Sequence, residues 1–420
     1  MNYPRLKSWA TQKTNMKTIF ILAWRNIWRN KRRTIITLSS IFFAVLLALF
    51  MRSMQLGSYG NMIKNSVESY SGYIQIHELG YWENKSINKL LEHSQSIQDS
   101  IENLPSVNYV IPRLETFALA ATETLSKGVA VIGTDPERED HMTKLSEKLV
   151  AGEFFEADKE GILISEGLGN YLRLGVNDTL ILLGQGYHGT NAVGKYPIAG
   201  IIKLVNPQMN NNTVYMPLKT CQYYNGSPNK LTSMALVLDS YDAVKKTTAR
   251  LKEDFGERYE IMDWEELQPE LVQLIQSDNA GGVIMLGILY MVIAFGIFGT
   301  IMMMTMERLR EFGVLISIGM QKLRLAGLVF IETLLIGILG LLVSFMAGVP
   351  LLLYMYEHPI PLTGSAAKGI EEMGFEPIIP FSLDISIFYT QGLAILVIVM
   401  LCLTYPYLRL WWLKPVESKK

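Results

Sequence analysis

The chain has 420 residues, of which 49% are hydrophobic and 18% are charged, and its formal net charge at pH 7 is −1. This mixture excludes a protein that lies mostly inside a membrane, and it predicts a few membrane spans attached to a sizeable soluble domain. No nucleic-acid partner is expected.

The N-terminal arm, residues 1–34, predicts a helix that lies on a membrane surface. Phe20, Trp24, Ile27 and Trp28 form a stripe at helical spacing, and arginines occupy the other faces. Tryptophan anchors a helix at the membrane interface and arginine attracts anionic lipid. The apolar run that follows has no small-residue cleavage site, so we expect it to remain as an uncleaved anchor.

Four apolar stretches are long enough to cross a hydrocarbon core of ~30 Å. They lie near Ile35–Met51, Gly282–Met304, Ala326–Tyr354 and Ile385–Tyr405. Lysine and arginine are concentrated in the first 33 residues, after the second stretch and in the tail, whereas the segment before the fourth stretch is acidic. By the positive-inside rule, both termini and the segment after the second span are expected in the cytoplasm.

These patterns predict nine regions in chain order. The cytoplasmic parts are the arm 1–34, an amphipathic helix 306–325 and the tail 409–420. The spans are 35–54, 282–305, 326–355 and 385–408, and the external parts are a domain with its stalk at 55–281 and a loop at 356–384.

The external domain is large enough to build its own core and is predicted to be mixed α/β. Strands are predicted at Tyr73–Ile76, Val129–Gly133, Ile162–Ser165, Thr179–Leu183 and near Ile198–Leu204, with a short helix that ends at Gly175. Apolar residues between Ile87 and Leu104 keep helical spacing, and Asp263–Gln276 is predicted to be a helical stalk that leads into the second span.

The most informative segment is Glu307–Leu325, which lies between the second and third spans. Val314, Leu315 and Ile318 fall on one helical face, while charged residues crowd both ends. Such a segment is expected to lie against the membrane and to offer a rigid knob to a soluble partner. The alternative is an ordinary positively charged loop.

Glu332 lies about six residues inside the third span, where a carboxylate is expensive and usually faces protein or water. One interpretation is a proton relay or a gating contact. The other is a structural carboxylate that reaches the interface or bonds the nearby cytoplasmic segment.

Other chemical signals are weak. Gly189–Lys195 has the spacing of a phosphate-binding loop, but Tyr196 stands where serine or threonine should bind magnesium. The five histidines are scattered, so no metal site is predicted. Cys221 and Cys402 are expected in different compartments and cannot pair. No catalytic residue is predicted.

The whole arrangement resembles the FtsX-like permeases of ABC transporters. The resemblance rests on the entry AWRNIWRNKRRTIITL, on ERLREFGVLISIGM after the second span and on the ending LRLWWLKPVE. The stretch GILISEGLGNYLRLGVNDTLILL is similar to the lipoprotein-releasing (LolC/LolE-like) branch. The ATPase fused in front of MacB-like permeases is not expected, because about sixteen residues precede the interfacial helix.

The resemblance implies a permease of the type VII ABC class in the bacterial inner membrane, paired with a second copy or a paralogue. A separate ATPase subunit would bind ATP and magnesium, so no cofactor is expected in this chain. The cargo would be a lipoprotein, delivered to a periplasmic chaperone. The residues implied to contact the ATPase are Glu307, Arg308, Arg310, Glu311, Phe312, Gly313, Ile318 and Gly319.

Two further sets of residues follow from the resemblance. Acyl chains would contact the outer halves of the first two spans, at Leu46, Phe50, Met51, Met54, Met285, Leu289 and Met291. These residues are also suited to lipid contact or packing. The loop Gly184–Lys195 stands where that branch has a chaperone-binding hook, which implies contacts from Gln185, Tyr187, His188 and Asn191. An ordinary hairpin loop is the alternative.

Two other functions fit the same membrane layout. One is a mechanotransmitting permease that drives efflux or peptide export, and the other is an FtsX-like regulator that activates an external cell-wall hydrolase. The size of the external domain argues against the regulator.

Overall fold

The computed structural model describes residues 16–29, 31–317, 320–372 and 374–412. The chain divides into two compact units. The helical unit contains the residues up to Tyr59, Gln276–Ile360 and those from Ile379 onward, and the sheet unit contains Gly60–Ile275 and Pro361–Ile378.

The described residues contain four candidate spans that are long and apolar enough to cross a membrane: Thr34–Ser71, Pro269–Ser317, Lys322–Glu357 and Ile385–Trp412. A π-helical turn covers Val67–Ser71. The α-helices in chain order are α1 (Met16–Arg29), α2 (Lys31–Ser66), α3 (Tyr81–Asn84), α4 (Gln95–Glu102), α5 (Pro136–Thr143), α6 (Glu166–Leu172), α7 (Pro207–Asn212), α8 (Leu218–Tyr224), α9 (Val244–Phe255), α10 (Trp264–Leu267), α11 (Pro269–Ser317), α12 (Lys322–Glu357), α13 (Ser365–Glu372), α14 (Ile385–Cys402) and α15 (Thr404–Trp412).

The strands belong to the sheet unit, except that the last two lie at the two ends of its segment Pro361–Ile378. In chain order they are β1 (Ile74–Glu78), β2 (Leu91–Glu92), β3 (Val107–Ala121), β4 (Ser126–Thr134), β5 (Leu149–Gly152), β6 (Ile162–Ser165), β7 (Thr179–Gln185), β8 (Asn191–Ile202), β9 (Thr213–Pro217), β10 (Lys230–Leu231), β11 (Ser233–Leu238), β12 (Tyr259–Asp263), β13 (Ile360–Pro361) and β14 (Ile378–Ile379).

Within the described residues, ten strands form one mixed sheet in the order β12-β1-β11-β3-β4-β9-β6-β8-β5, and β7 pairs with both β3 and β8. The β4–β9 and β6–β8 pairs are parallel. Because β3 has 15 residues, one of its edges pairs first with β11 and later, at Ala118–Ala121, with β7. This branch lets one sheet carry the two main apolar cores of the unit.

A buried ion pair lies beside this sheet. Arg113 on β3 and Glu139 on α5 have fully buried side chains, and the guanidinium donates to both carboxylate oxygens at 2.9 and 2.5 Å. Thr134 adds a hydroxyl donor at 3.0 Å, and Arg113 also donates to the backbone oxygen of Tyr70 in the π-helical turn. With these bonds, the polar groups are satisfied in an environment that would otherwise penalise both charges.

The segment 361–378 belongs to the sheet unit, although the sequence predicted only an external loop at 356–384. It contains α13, and the backbone N–H of Leu362 donates to the oxygen of Pro377 at 2.7 Å. Gly374 has a φ of +84°, and a Cβ there would lie 3.1 Å from Nδ2 of Asn206. A larger residue at this position would be strained and would press on the sheet unit.

Close helix packing in the helical unit depends on a small residue. A Cβ added to Gly340 on α12 would lie 2.7 Å from Cγ2 of Ile41 on α2. Small residues let spans approach closely, where dispersion contacts stabilise the pair. The buried residues around this contact include Val45, Leu49 and Ile336.

Four of the five predicted strands agree with the structure to within a few residues, and Ile162–Ser165 is β6 itself. The strand predicted near Ile198–Leu204 is the end of a longer strand, β8, which begins at Asn191. The helix predicted between Ile87 and Leu104 is wrong in its first half, because Leu91 pairs with Leu231 in a short sheet and only Gln95–Glu102 is helical. The stalk is also divided, since α10 ends at Leu267 and α11 begins at Pro269.

Replacing Glu139 by alanine is expected to lower the free energy of unfolding by about 3–5 kcal/mol, because the guanidinium of Arg113 would stay buried without its partner. Chemical unfolding of the purified chain, followed by tryptophan fluorescence, measures the loss. The control is Lys252→Ala, which removes a half-exposed salt bridge of 2.9 Å and should change stability by less than about 1 kcal/mol. Equal losses in the two variants would contradict this assignment.

Candidate functional site

The candidate site is the junction between α11 and α12, where the sequence predicted one amphipathic helix over residues 306–325. The structure corrects that prediction, because α11 continues without interruption to Ser317 and α12 begins at Lys322. The backbone N–H of Met320 donates to the oxygen of Leu315 at 2.9 Å and closes the end of α11. No proline interrupts the charged stretch, so the helix of the span simply extends through it.

An ion pair inside this junction joins α11 to α12. Nη1 of Arg308 donates to both carboxylate oxygens of Glu332 at 2.7 and 2.6 Å, and both side chains are more than nine-tenths buried. Nδ2 of Asn26 on α1 lies 3.4 Å from the same carboxylate. Glu332 is therefore a structural carboxylate that bonds the neighbouring charged segment, which is one of the two interpretations that the sequence allowed.

Arg308 was predicted to contact an ATPase, and the structure instead turns its guanidinium into the helical unit. The reason is the carboxylate of Glu332, which would be costly to bury alone in an apolar span. Among the described residues, Nε and Nη2 of Arg308 have no hydrogen-bond partner.

Phe312 and Gly313, which were also predicted to contact the ATPase, are both buried. Phe312 packs in a buried apolar cluster with Ala23, Leu325, Leu328 and Leu410. Gly313 is the next residue along α11. The cluster collects side chains from α1, α11, α12 and α15. This packing holds α11 in one orientation, so that the opposite face of the helix is exposed.

The exposed part of the junction is smaller than the sequence predicted. Arg310 and Glu311 are exposed, and Glu311 accepts a hydrogen bond from Nη2 of Arg29 at 2.8 Å. Val314 and Leu323 are exposed apolar residues in the same junction. Exposed apolar groups beside an arginine are typical of protein interfaces. Glu307 is also exposed, whereas Ile318 and Gly319 lie outside the described residues.

The residues predicted to line an acyl-chain cavity do not share one open surface. Met285 and Met291 are exposed on α11, and Leu46 and Met51 are half-buried on α2. Leu289, Phe50 and Met54 pack against the buried cluster of the helical unit. One open apolar face lies on α11 and is formed by Val283, Ile284, Met285, Ile288, Met291, Val292 and Phe295.

The predicted chaperone loop is the short turn of a hairpin, in which β7 ends at Gln185 and β8 begins at Asn191. Tyr187 donates its backbone N–H to Asn225 at 2.8 Å, and His188 donates its own to Oδ1 of Asn88 at 2.8 Å. These two bonds hold the backbone of the loop against neighbouring segments of the sheet unit. The phosphate-loop spacing at Gly189–Lys195 also falls in this hairpin, without the strand–loop–helix order that nucleotide binding needs.

The described residues contain no group of three or more histidine, cysteine or carboxylate side chains that could hold a metal. Cys221 is buried, and burial raises the pKa of its thiol to about 12, which leaves it unreactive at neutral pH.

Sequence reasoning missed the participation of Asn26 and Arg29, because the N-terminal arm was interpreted only as a lipid-binding helix. The available signal was the carboxylate of Glu332, since a buried charge in a span needs partners on neighbouring helices. Arg308 lies 24 residues earlier in the chain, and helix geometry alone does not show that the two meet.

Comparison with known proteins identifies both parts of the chain. The FtsX-like permease C-terminal family matches residues 283–415, and the MacB-like periplasmic core domain family matches residues 34–254. The lipoprotein-releasing system transmembrane protein LolE of Haemophilus influenzae is 19% identical over 346 residues, which cover 80% of this chain and 83% of that protein.

Two solved structures resemble the chain at low scores. The extracellular domain of the noncanonic ABC-type transporter YknZ from Gram-positive bacteria has a TM-score of 0.34 and 14% identity, with 46% of this chain and all of that chain covered. The periplasmic region of MacB from Actinobacillus actinomycetemcomitans has a TM-score of 0.35 and 13% identity, with coverages of 49% and 94%.

The four long apolar helices and the large α/β unit fit the architecture of a MacB-like membrane permease, as the sequence predicted. The chain belongs to the FtsX-like permease family and carries a MacB-like periplasmic core domain. It is thus a permease of the ABC-transporter type.

Replacing Glu332 by glutamine is expected to lower the thermal stability of the purified chain in detergent, because Arg308 would be buried without a counter-charge. The double variant Arg308→Met, Glu332→Leu should recover most of the loss, since it removes both charges and keeps apolar volume. Arg29→Gln, which breaks only the exposed bridge to Glu311, should have little effect. Thermal melts in which the double variant is less stable than the single one would refute a mutual pairing.

Proposed function

We propose that this chain is the permease subunit of an ABC transporter that extracts lipoproteins from the bacterial inner membrane. The observation that carries the proposal is the uncovered apolar face of α11, in the half of the helix closest in sequence to the sheet unit. A surface of this kind suits the acyl chains of a membrane-anchored cargo. The similarity to a lipoprotein-releasing protein along four-fifths of the chain supports the same function.

The physical need for such a machine follows from the membrane anchor of the cargo. Each CH₂ of an acyl chain that leaves the bilayer costs about 0.8 kcal/mol, so a multiply acylated protein does not escape at a useful rate without external work. An ATPase supplies that work, and this chain must transmit it. In our proposal both termini and the α11–α12 junction are cytoplasmic, the sheet unit is periplasmic, and two permease subunits pair around the cargo.

The exposed face of the junction is the part that we assign to the ATPase. The exposed residues of this face are Arg310, Glu311 and Val314 on α11. The buried side of the same helix is held by the ion pair of Arg308 with Glu332 and by the packing of Phe312. A helix that is fixed on its inner side moves as a rigid piece when a partner pushes its outer side. The charged residues would pair with groups in the partner's groove.

Delivery of the cargo is assigned to the sheet unit. His188 and Asn191 are exposed at the β7–β8 hairpin, and the backbone there is fixed by its bonds to Asn225 and Asn88. A rigid exposed hairpin is suited to contact with a periplasmic lipoprotein chaperone.

Charge reversal at Glu311 is expected to weaken binding of the ATPase by about tenfold or more, because a contact to a cationic group in its groove would become repulsive. Co-purification of the ATPase with the Glu311→Lys chain measures this effect. The matched control is Arg29→Gln, which breaks the same intrachain bridge without reversing the charge of Glu311. Unchanged co-purification and unchanged growth of cells with Glu311→Lys would remove the junction from the docking surface.

Photo-crosslinking amino acids at Met285 or Met291 are expected to capture lipoprotein in intact membranes, and ATP should release it, because these side chains lie on the open apolar face of α11. The control position is Leu393 on α14, which is equally exposed and apolar and should capture ordinary phospholipid. Mass spectrometry identifies the captured species. Capture of a small amphipathic compound or peptide, without acylated protein, would reject lipoprotein extraction in favour of efflux.

A further inference from the structure

A cavity of about 230 Å³ lies inside the sheet unit beside β1, and nothing in the transport function accounts for it. Its walls combine three aromatic rings with many uncharged polar groups. The residues that line it are Tyr70, Ser71, Gln75, His77, Tyr81, Trp82, Lys85, Glu115, Thr232, Ser233, Leu267 and Gln268. Pockets for drug-sized ligands are larger, at roughly 300–1,000 Å³, so this cavity suits a smaller molecule.

Two buried polar groups in its wall have no partner among the described residues. His77 is 1% exposed, and its Nδ1 lies 2.8 Å from the backbone oxygen of Thr232. A carbonyl oxygen only accepts, so Nδ1 carries the proton, and Nε2 of the neutral ring is an acceptor without a donor. Ser233 is 2% exposed, and its hydroxyl is also unpartnered. Such groups are costly to leave unsatisfied.

The charged side chains of the cavity wall already have contacts within the chain. The carboxylate of Glu115 accepts the hydroxyl of Tyr70 at 2.7 Å, and Nη1 of Arg113 lies 4.0 Å from its other oxygen. Lys85 is exposed, and its ammonium lies 4.0 Å from the centre of the Trp82 ring. Burial lowers the pKa of His77, so its ring is neutral. The two buried wall groups that lack a partner, His77 and Ser233, are therefore both uncharged, and they call for a neutral hydrogen-bonding occupant.

The remaining chemistry selects hydroxyl groups on an apolar ring. A hydroxyl can donate to Nε2 of His77 and also accept from Ser233, whereas an amide hydrogen can only donate. The rings of Tyr81 and Trp82 also line the cavity, with centres 5.1 and 5.6 Å from that of His77. Aromatic faces pack well against the CH groups of a cyclic polyol.

We propose that this cavity binds a neutral polyol of the size of one sugar ring, with His77 and Ser233 as its buried hydrogen-bond partners and Tyr81 and Trp82 as its stacking wall. The site is independent of the proposed lipoprotein function. Gln268 and Ser71 also line it and are joined by a hydrogen bond of 2.8 Å. The occupant would therefore touch residues near both ends of the segment Gly60–Ile275.

Saturation-transfer NMR on the full chain in lipid nanodiscs tests the proposal with D-glucose and N-acetyl-D-glucosamine as probes. We expect saturation transfer to both neutral sugars, and weaker transfer to cationic glucosamine and to anionic glucose 6-phosphate. Loss of one hydrogen bond in Ser233→Ala should weaken binding about three- to tenfold. Trp82→Leu, at a half-buried position, should weaken it as well by removing the stacking wall.

Ser227→Ala is the matched control, because the Ser227 hydroxyl is also buried and unpartnered but does not line the cavity. Binding by this variant should equal that of the unmodified chain. No transfer to either neutral sugar at millimolar concentration would mean that the cavity holds only water, which would overturn the proposal. Equal weakening in Ser233→Ala and Ser227→Ala, or equal transfer to the charged sugars, would overturn it too.

Discussion

The carboxylate of Glu332, inside an apolar span, is the constraint on which the functional end of this permease depends. A charge at that depth must be paired, and the pairing guanidinium of Arg308 comes from the preceding span. The bond therefore sets the separation of α11 and α12 at the point where the chain turns back. Asn26 extends the same contact to α1, so three helices are held by one carboxylate.

This arrangement divides the junction into two faces with different tasks. The inner face consists of the ion pair and the apolar cluster around Phe312, and both hold α11 in place. The outer face, with Arg310, Glu311 and Val314, is then available to a partner. A buried ion pair contributes little net stability compared with a well-packed apolar contact, but it tolerates few alternative arrangements of its helices. That property suits the role proposed above for α11.

The sheet unit uses a similar device at Arg113 and Glu139, where an ion pair with no exposed surface lies against the sheet. Arg113 also bonds the backbone of Tyr70 in the π-helical turn, so this pair fixes the start of the sheet unit as well as its core. The nearby cavity lies next to the same turn and is lined by Tyr70 and Gln268. A molecule in the cavity would therefore contact the same turn that Arg113 already holds by a hydrogen bond.

Much of the architecture could be predicted from local patterns in the chain. Long apolar runs predict the four spans, and alternating residues such as Ile162–Ser165 predict strands, because hydrophobic burial acts on each segment according to its own period. The family resemblance also rested on short segments that can be recognised without knowing their contacts. Local pattern fails where two segments compete, as at Leu91, which pairs with Leu231 rather than continuing a helix.

The sequence by itself determined the class of the protein, its spans and the existence of a charged junction, because these follow from composition and periodicity. Only the tertiary structure decided which charges of the junction turn inward. Arg308 and Arg310 are two residues apart and chemically identical, yet one is buried and the other exposed. The difference arises because residues two positions apart on a helix face nearly opposite directions, and only the direction of Arg308 leads to Glu332.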